Sequence, residues 1–207
     1  MPHTDWKIDD FKKVLVVEGY SDLHFYAEIL EELGKNKEVF IKTLTDKSGI
    51  FTKLETLISP GFLKSKTTIG FIFDADSNPA KTRADIENAL KSLTGQNVVD
   101  TNWTHGEPNI GLLIIPGGDQ LGEIETLVWN SWRNDPKNAD QKQCIEDYIN
   151  CMKQAGKTAH SPDKGFIGAL LAVLSDEDPR LGPAARDNVF DLARPELLLL
   201  RNFLSGF

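Results

Sequence analysis

Cysteine and histidine are scarce in this chain: its 207 residues include two Cys and four His. Cys144 and Cys151 lie in a stretch with helical periodicity. Seven residues along a helix axis span about 10 Å, too far for a disulfide. With no further thiol and scattered imidazoles, no zinc site is expected. Both cysteines are expected as part-buried helix residues. No apolar run approaches the ~20 residues that cross a bilayer, so no membrane association is expected. The opening Met1-Pro2-His3-Thr4-Asp5-Trp6 has no basic stretch leading into an apolar core. A secretory signal is therefore not expected, and the expected location is cytoplasmic. Repeats and low-complexity segments are missing too. Positive charge is also short: 23 Lys and Arg against 31 Asp and Glu give a net charge of −8 and a pI near 5.0. That balance argues against indiscriminate nucleic-acid binding. One local reversal stands out over residues 35–66, where seven lysines meet three acids. It reads as a shallow basic patch or as a solvated surface.

Apolar content of 40% and charged content of 26% are those of an ordinary globular chain. The length suits one core, or one core with a small appendage. Residues 14–17, 39–44 and 67–73 are short apolar or β-branched runs that read as strands, the first and last buried on both faces. Between them, helical patterns cover 22–33, with Ser21 as cap, and 50–58, stopped at Ser59-Pro60-Gly61. A helix starts at Asn78-Pro79, with Pro79 at its first position. Further strands are expected at 98–103 and 111–115, and a helix at 121–132. After Asp135-Pro136 only helical patterns follow, at 139–152, 164–174, 184–192 and 195–204. The alternation predicts an α/β fold: a mostly parallel sheet flanked by helices. Residues 12–135 would form the core and 136–207 an all-helical extension, within a single domain over 1–207.

The acids that carry chemistry sit where strands end. Val14-Leu15-Val16-Val17 runs into Glu18-Gly19, and Asp22 follows in the first turn of the next helix. Gly70-Phe71-Ile72-Phe73 runs into Asp74-Ala75-Asp76. Open parallel sheets bind ligands beyond the carboxyl ends of their strands. If the two strands are neighbours, Glu18, Asp22, Asp74 and Asp76 converge. Ionised carboxylates raise each other's pKa when crowded, and the usual compensation is a divalent cation. All-oxygen donors suit Mg²⁺ or Mn²⁺. After strand 111–115 come Glu123 and Glu125, which point to different faces if both are helical. At most one would then be a ligand, and Glu123, nearer the loop, is preferred.

This order of motifs resembles the Toprim domain of topoisomerases, primases and related nucleases over roughly residues 12–130. Asp22, four residues after Glu18, is similar to the variant in overcoming-lysogenisation-defect nucleases and their small stand-alone relatives. The resemblance implies a Toprim-like fold in which Glu18, Asp74 and Asp76 bind metal and support phosphodiester cleavage, with Asp22 as an additional ligand. It also implies nucleic acid as partner and a lysine stabilising charge at the scissile phosphate. Lys164 is the first candidate for that lysine and Lys47 the second. His24 and His160 read as packing or surface residues, and no tyrosine is placed as a covalent nucleophile. Two other readings stay open. Phe73-Asp74-Ala75-Asp76 mimics the Asp-x-Asp of haloacid-dehalogenase-like phosphatases, although there it opens the first strand and Thr follows. A metal- or nucleic-acid-binding module without turnover is the third.

Overall fold

The computed structural model describes residues 6–44, 49–159, 161–175 and 178–207. Lys47 and His160 lie outside the described residues. Four strands, β1 (Lys13–Val17), β2 (Val39–Thr43), β3 (Thr68–Asp74) and β4 (Asn109–Ile115), form one sheet in the order β2-β1-β3-β4. Every pairing is parallel. The helices linking them are α1 (Tyr20–Glu32), α2 (Ile50–Leu57), α3 (Pro60–Ser65) and α4 (Pro79–Thr94). After β4 come α5 (Ile124–Arg133), α6 (Ala139–Gln154), α7 (Pro162–Leu174), α8 (Leu181–Arg186) and α9 (Leu198–Ser205).

Strand side chains alternate between the two faces of a sheet, and each face here has its own core. Leu15, Val17, Ile72, Leu113 and Ile115 point toward α1, α5, α7, α8 and α9. Val14, Val16, Phe71, Phe73, Leu112 and Ile114 point the other way, toward Leu54 of α2 and Ile86 and Leu90 of α4. Both faces are covered, so β1, β3 and β4 are almost continuously buried. Each fully buried Val, Leu, Ile or Phe contributes roughly 1.5–3 kcal/mol. This two-sided burial fixes the register that places Glu18 beside Asp74. On the first face, Leu15, Gly70 and Gly111 lie in register. The two glycines leave room for Phe207 and Trp103, whose ring atoms stand within 2.5 and 2.6 Å of where a Cβ would be. Among the described residues, no helix is long and apolar enough to cross a membrane.

Several expected elements differ. Residues 98–103 are not a strand: Thr101 adopts φ +66°, and only isolated bridges link Asp100 to Leu112 and Trp103 to Gly111. The segment still covers the outer edge of β4. Ser59-Pro60 ends α2 but also starts α3, the Ser59 hydroxyl accepting from Phe62 N. The cap of α1 is Gly19, not Ser21, and the helix begins at Tyr20. Pro79 does open α4, where Asn78 Oδ1 accepts from Lys81 N. Asn188, at φ +60°, follows an α8 that is much shorter than expected. Cys144 and Cys151 are exposed rather than part-buried, because α6 packs on the helical face and buries none of its residues fully. The lysine-rich stretch is no simple patch. Lys66 turns inward and donates to Ile8 O at 2.6 Å and Phe11 O at 2.8 Å, and Lys35 donates to Phe207 O.

Candidate metal centre

Three strands deliver acids to one edge. β1 and β3 are hydrogen-bonded neighbours, with Val17 opposite Ile72. Glu18, one residue past Val17, and Asp74, two residues past Ile72, therefore leave the sheet at the same edge. A buried hydrogen bond ties them: Asp74 N donates to Glu18 Oε1 at 2.9 Å. Asp74 is the last residue of β3, so its position is set by the strand rather than by a loop. Asp22 sits in the first turn of α1, where its Oδ2 accepts from Gly19 N at 3.1 Å. That bond caps the helix and favours the acid at the positive end of the helix dipole. Asp22 thus has a structural task in addition to any ligand role. Glu18, Asp22, Asp74 and Glu123 are only 7%, 8%, 8% and 7% exposed.

Asp76 is exposed and adopts φ +53°, a left-handed conformation that Asp tolerates better than most residues. Two backbone hydrogen bonds hold it there: Asp76 N to Gly122 O at 2.9 Å and Gly122 N to Asp76 O at 3.0 Å. Gly122 itself has φ +126°. This pair fastens the exit of β3 to the entry of α5. It also delays α5, which begins at Ile124 instead of 121, so Glu123 becomes its N-cap.

The shift removes the reason for choosing between Glu123 and Glu125. Outside the helix, Glu123 swings toward Glu125, and Lys164 Nζ bridges both, at 2.5 Å from Glu123 Oε2 and 2.9 Å from Glu125 Oε1. Lys164 comes from the first turn of α7. That turn is fastened to α5 by Thr126 Oγ1 donating to Asp163 Oδ2 at 2.6 Å. Burial alone would lower the Lys164 pKa. The hydrogen bond to Glu123 and the charge of Glu125 outweigh it, and the pKa rises well above the ordinary value. Burial raises the pKa of Glu125, and Lys164 only partly offsets that. Glu125 Oε2 is buried without a hydrogen-bond partner among the described residues.

The two groups of acids share one field. Tyr26 lies buried in α1, its phenol pushed up first by burial and then by the charges of Asp22, Asp74, Glu18 and Glu125. Tyr26 was not singled out from sequence. Its 3–4 spacing from Asp22 and Leu23 marks it only as a helix-face residue. Among the described residues, no three His, Cys, Asp or Glu side chains already stand close enough to enclose an ion. Glu18, Asp22, Glu123 and Glu125 each hold a hydrogen bond that a cation would have to share or exchange. The donor set is nevertheless all-carboxylate, which suits Mg²⁺. That ion keeps several waters and takes one or two carboxylates rather than a full protein cage.

Two solved structures share the fold. Both are of the C-terminal region of the Xanthomonas campestris pv. campestris OLD protein. One has a TM-score of 0.53 at 14% identity, covering 95% of this chain and 95% of that one. The other has a TM-score of 0.51 at 12% identity, covering 95% and 93%. At these identities the likeness is one of fold. No curated protein matches the chain. Residues 12–207 match the model of the family described as "Protein of unknown function (DUF3226)", and the chain belongs to that family.

Proposed function

We propose that this chain carries out Mg²⁺- or Mn²⁺-dependent phosphodiester chemistry on nucleic acid, as a Toprim-type nuclease of the overcoming-lysogenisation-defect kind. The observation that carries this reading is the buried hydrogen bond from Asp74 N to Glu18 Oε1. It fixes acids from two parallel strands at the sheet edge where such folds bind ligands. Glu18 and Asp74 are the central ligand candidates, and Asp22, Asp76 and Glu123 are the flanking ones. A divalent ion held there would supply Lewis-acid stabilisation and a more acidic bound water. The chain's own part is to orient the phosphate. Lys164, half exposed and directed at Glu123 and Glu125, is the cation available to a phosphate oxygen that displaces one of those carboxylates.

Calorimetric titration with Mg²⁺ and Mn²⁺, combined with cleavage assays on plasmid, single-stranded DNA and RNA, tests the reading. Glu18→Gln keeps an acceptor for Asp74 N, so the fold should persist. Losing a ligand should weaken metal binding at least as much as losing a supporting residue does, about 10- to 100-fold. Asp74→Asn should behave alike, and both should abolish cutting. Unchanged metal affinity in both variants, with no nucleic acid cut by the wild type, would sink the proposal.

A further inference from the structure

Three segments that carry candidate site residues meet at one buried hydroxyl. Thr126 lies in the first turn of α5. Its Oγ1 accepts from Glu123 N at 3.2 Å. The same hydroxyl donates to Asp163 Oδ2, in the first turn of α7, at 2.6 Å. It also packs over Gly122, where a Cβ would stand 2.2 Å from Oγ1. Gly122 is the residue whose backbone pairs with Asp76, and Asp163 immediately precedes Lys164 in the chain.

A ring closes through these contacts. Glu123 is held at its backbone by Thr126 and at its carboxylate by Lys164 Nζ, 2.5 Å from Oε2. Asp163 anchors the turn from which Lys164 reaches back. Helix capping accounts for only half of the arrangement. Starting α5 needs an acceptor for Glu123 N, and a hydroxyl can accept without committing its proton. Here the proton goes to a carboxylate on another helix, in a short charge-assisted bond that α5 does not need for its own start. The lysine stem is flexible and half exposed, so the ammonium alone does not fix where α7 begins. Farther along, the stacked rings of Trp129 and Phe166, with centroids 4.7 Å apart, hold α5 and α7 together. The helix pair therefore does not depend on the hydroxyl, whereas the placing of Lys164 does.

We propose that Thr126 is a positioning residue of the site: its hydroxyl holds Glu123 and Lys164 as one unit, so that Glu123 keeps its place when the ammonium turns to a substrate phosphate. The proposal rests on the metal-dependent phosphodiester reading and adds to it the group that couples α5 to α7 at the carboxylates.

Thr126→Val removes the hydroxyl and keeps the side-chain shape, and Thr126→Ser keeps the hydroxyl. Asp163→Ala opens the same bond from its part-exposed end, so the test survives if the buried substitution prevents folding. In calorimetric titration of the full chain with Mg²⁺, Thr126→Val and Asp163→Ala should each bind about 10- to 100-fold more weakly, the range for loss of a group that supports a metal ligand. Thr126→Ser should bind as the wild type does. Urea unfolding in chelator supplies a second readout. If the hydroxyl places Lys164, then Lys164→Met should shift the midpoint less in the Thr126→Val or Asp163→Ala background than in the wild type, because groups of one network do not act additively. Wild-type Mg²⁺ affinity in both variants, a loss that Thr126→Ser shares, or additive midpoint shifts would each overturn the proposal. The unfolding cycle runs without metal, so its failure is separable from that of the metal reading. A wild type that binds no Mg²⁺ would remove that reading, and the cycle would still decide whether Thr126 holds Lys164.

Discussion

Replacing Lys164 with Met is the most direct probe of the second half of the site. The substitution keeps an unbranched side chain and removes only the ammonium. Glu123 and Glu125 have side chains 9% and 12% exposed, whereas that of Lys164 is 49% exposed. Removing one partner of a fully buried pair costs about 3–5 kcal/mol, and exposed pairs are worth about 0–1 kcal/mol. A half-exposed ammonium over two buried acids falls between, at about 1–3 kcal/mol. For a chain of this length that corresponds to a fall in Tm of about 3–10 °C. The raised Lys164 pKa means its contribution is whole below the unfolded value near ~10.4. The contribution is lost only as pH rises through the folded value, so neutral pH samples all of it. The carboxylates set the acid side. Glu125 is already raised by burial, with Lys164 pulling it down, so the variant's carboxyl rises further. A group that binds protons more tightly when folded loses stability as pH rises through its range. The variant should therefore be weakest at neutral pH and recover on acidification. In the wild type, acid protonates the same carboxylates and the ion pair ceases to count. The Tm gap between wild type and Lys164→Met should thus shrink by at least half between about pH 7 and about pH 4, as read by calorimetric melts. An equal gap at both pH values would refute the charge argument and assign the loss to packing.

Gly182→Ala should destabilise the α1–α8 contact. A Cβ there would meet His24 Cβ at 2.1 Å and His24 backbone C at 2.9 Å, and backbone cannot rotate away. Overpacking of this kind costs about 1–3 kcal/mol, checked by urea unfolding, and a wild-type midpoint would contradict it. Arg83→Met should cost about 2–4 kcal/mol, because it removes the cation from the buried Asp100 carboxylate and leaves only Ile114 N donating to Oδ1. Arg83 Nε donates to Asp100 Oδ2 at 3.0 Å and its guanidinium also holds Gly118 O. Adding Asp100→Asn should recover part of that loss in a double-mutant cycle, and strict additivity would show that the two groups do not act together.

The parallel sheet was legible because its inner strands are buried on both faces, leaving unbroken apolar runs that end on acids. Glu18 and Asp74 were legible for the same reason: each is positioned by the last residues of a strand, and strands keep their register. What sequence could not supply was where loops turn. Thr101 breaks an extended run by adopting a left-handed conformation, and Thr is not a residue that advertises one. The late start of α5 follows from the Asp76–Gly122 backbone pair, a contact between segments 46 positions apart in the sequence. Local propensity could not foresee that pair, so Glu123 and Glu125 looked like alternatives. The Arg83–Asp100 link is invisible for a similar reason: both are ordinary charged residues until α4 lies beside the edge of β4.

Lys164 changes what the C-terminal helices are for. From pattern alone, residues 136–207 form a cap that needs the sheet for support. In the structure the dependence runs both ways. Ile167, Leu170 and Leu171 of α7 are buried in the same core as β1 and β4. The Thr126–Asp163 hydrogen bond then sets the height of α7 against α5. Given that height, Lys164 reaches Glu123 and Glu125 with no strand, turn or motif to mark it. The acids from β1 and β3 are held by backbone hydrogen bonds, whereas those after β4 are held by a lysine from a helix some 40 positions later. The β1–β3 side of the candidate site is therefore fixed by the main chain, whereas the Glu123–Glu125 side hangs on an ammonium carried by a flexible four-carbon stem.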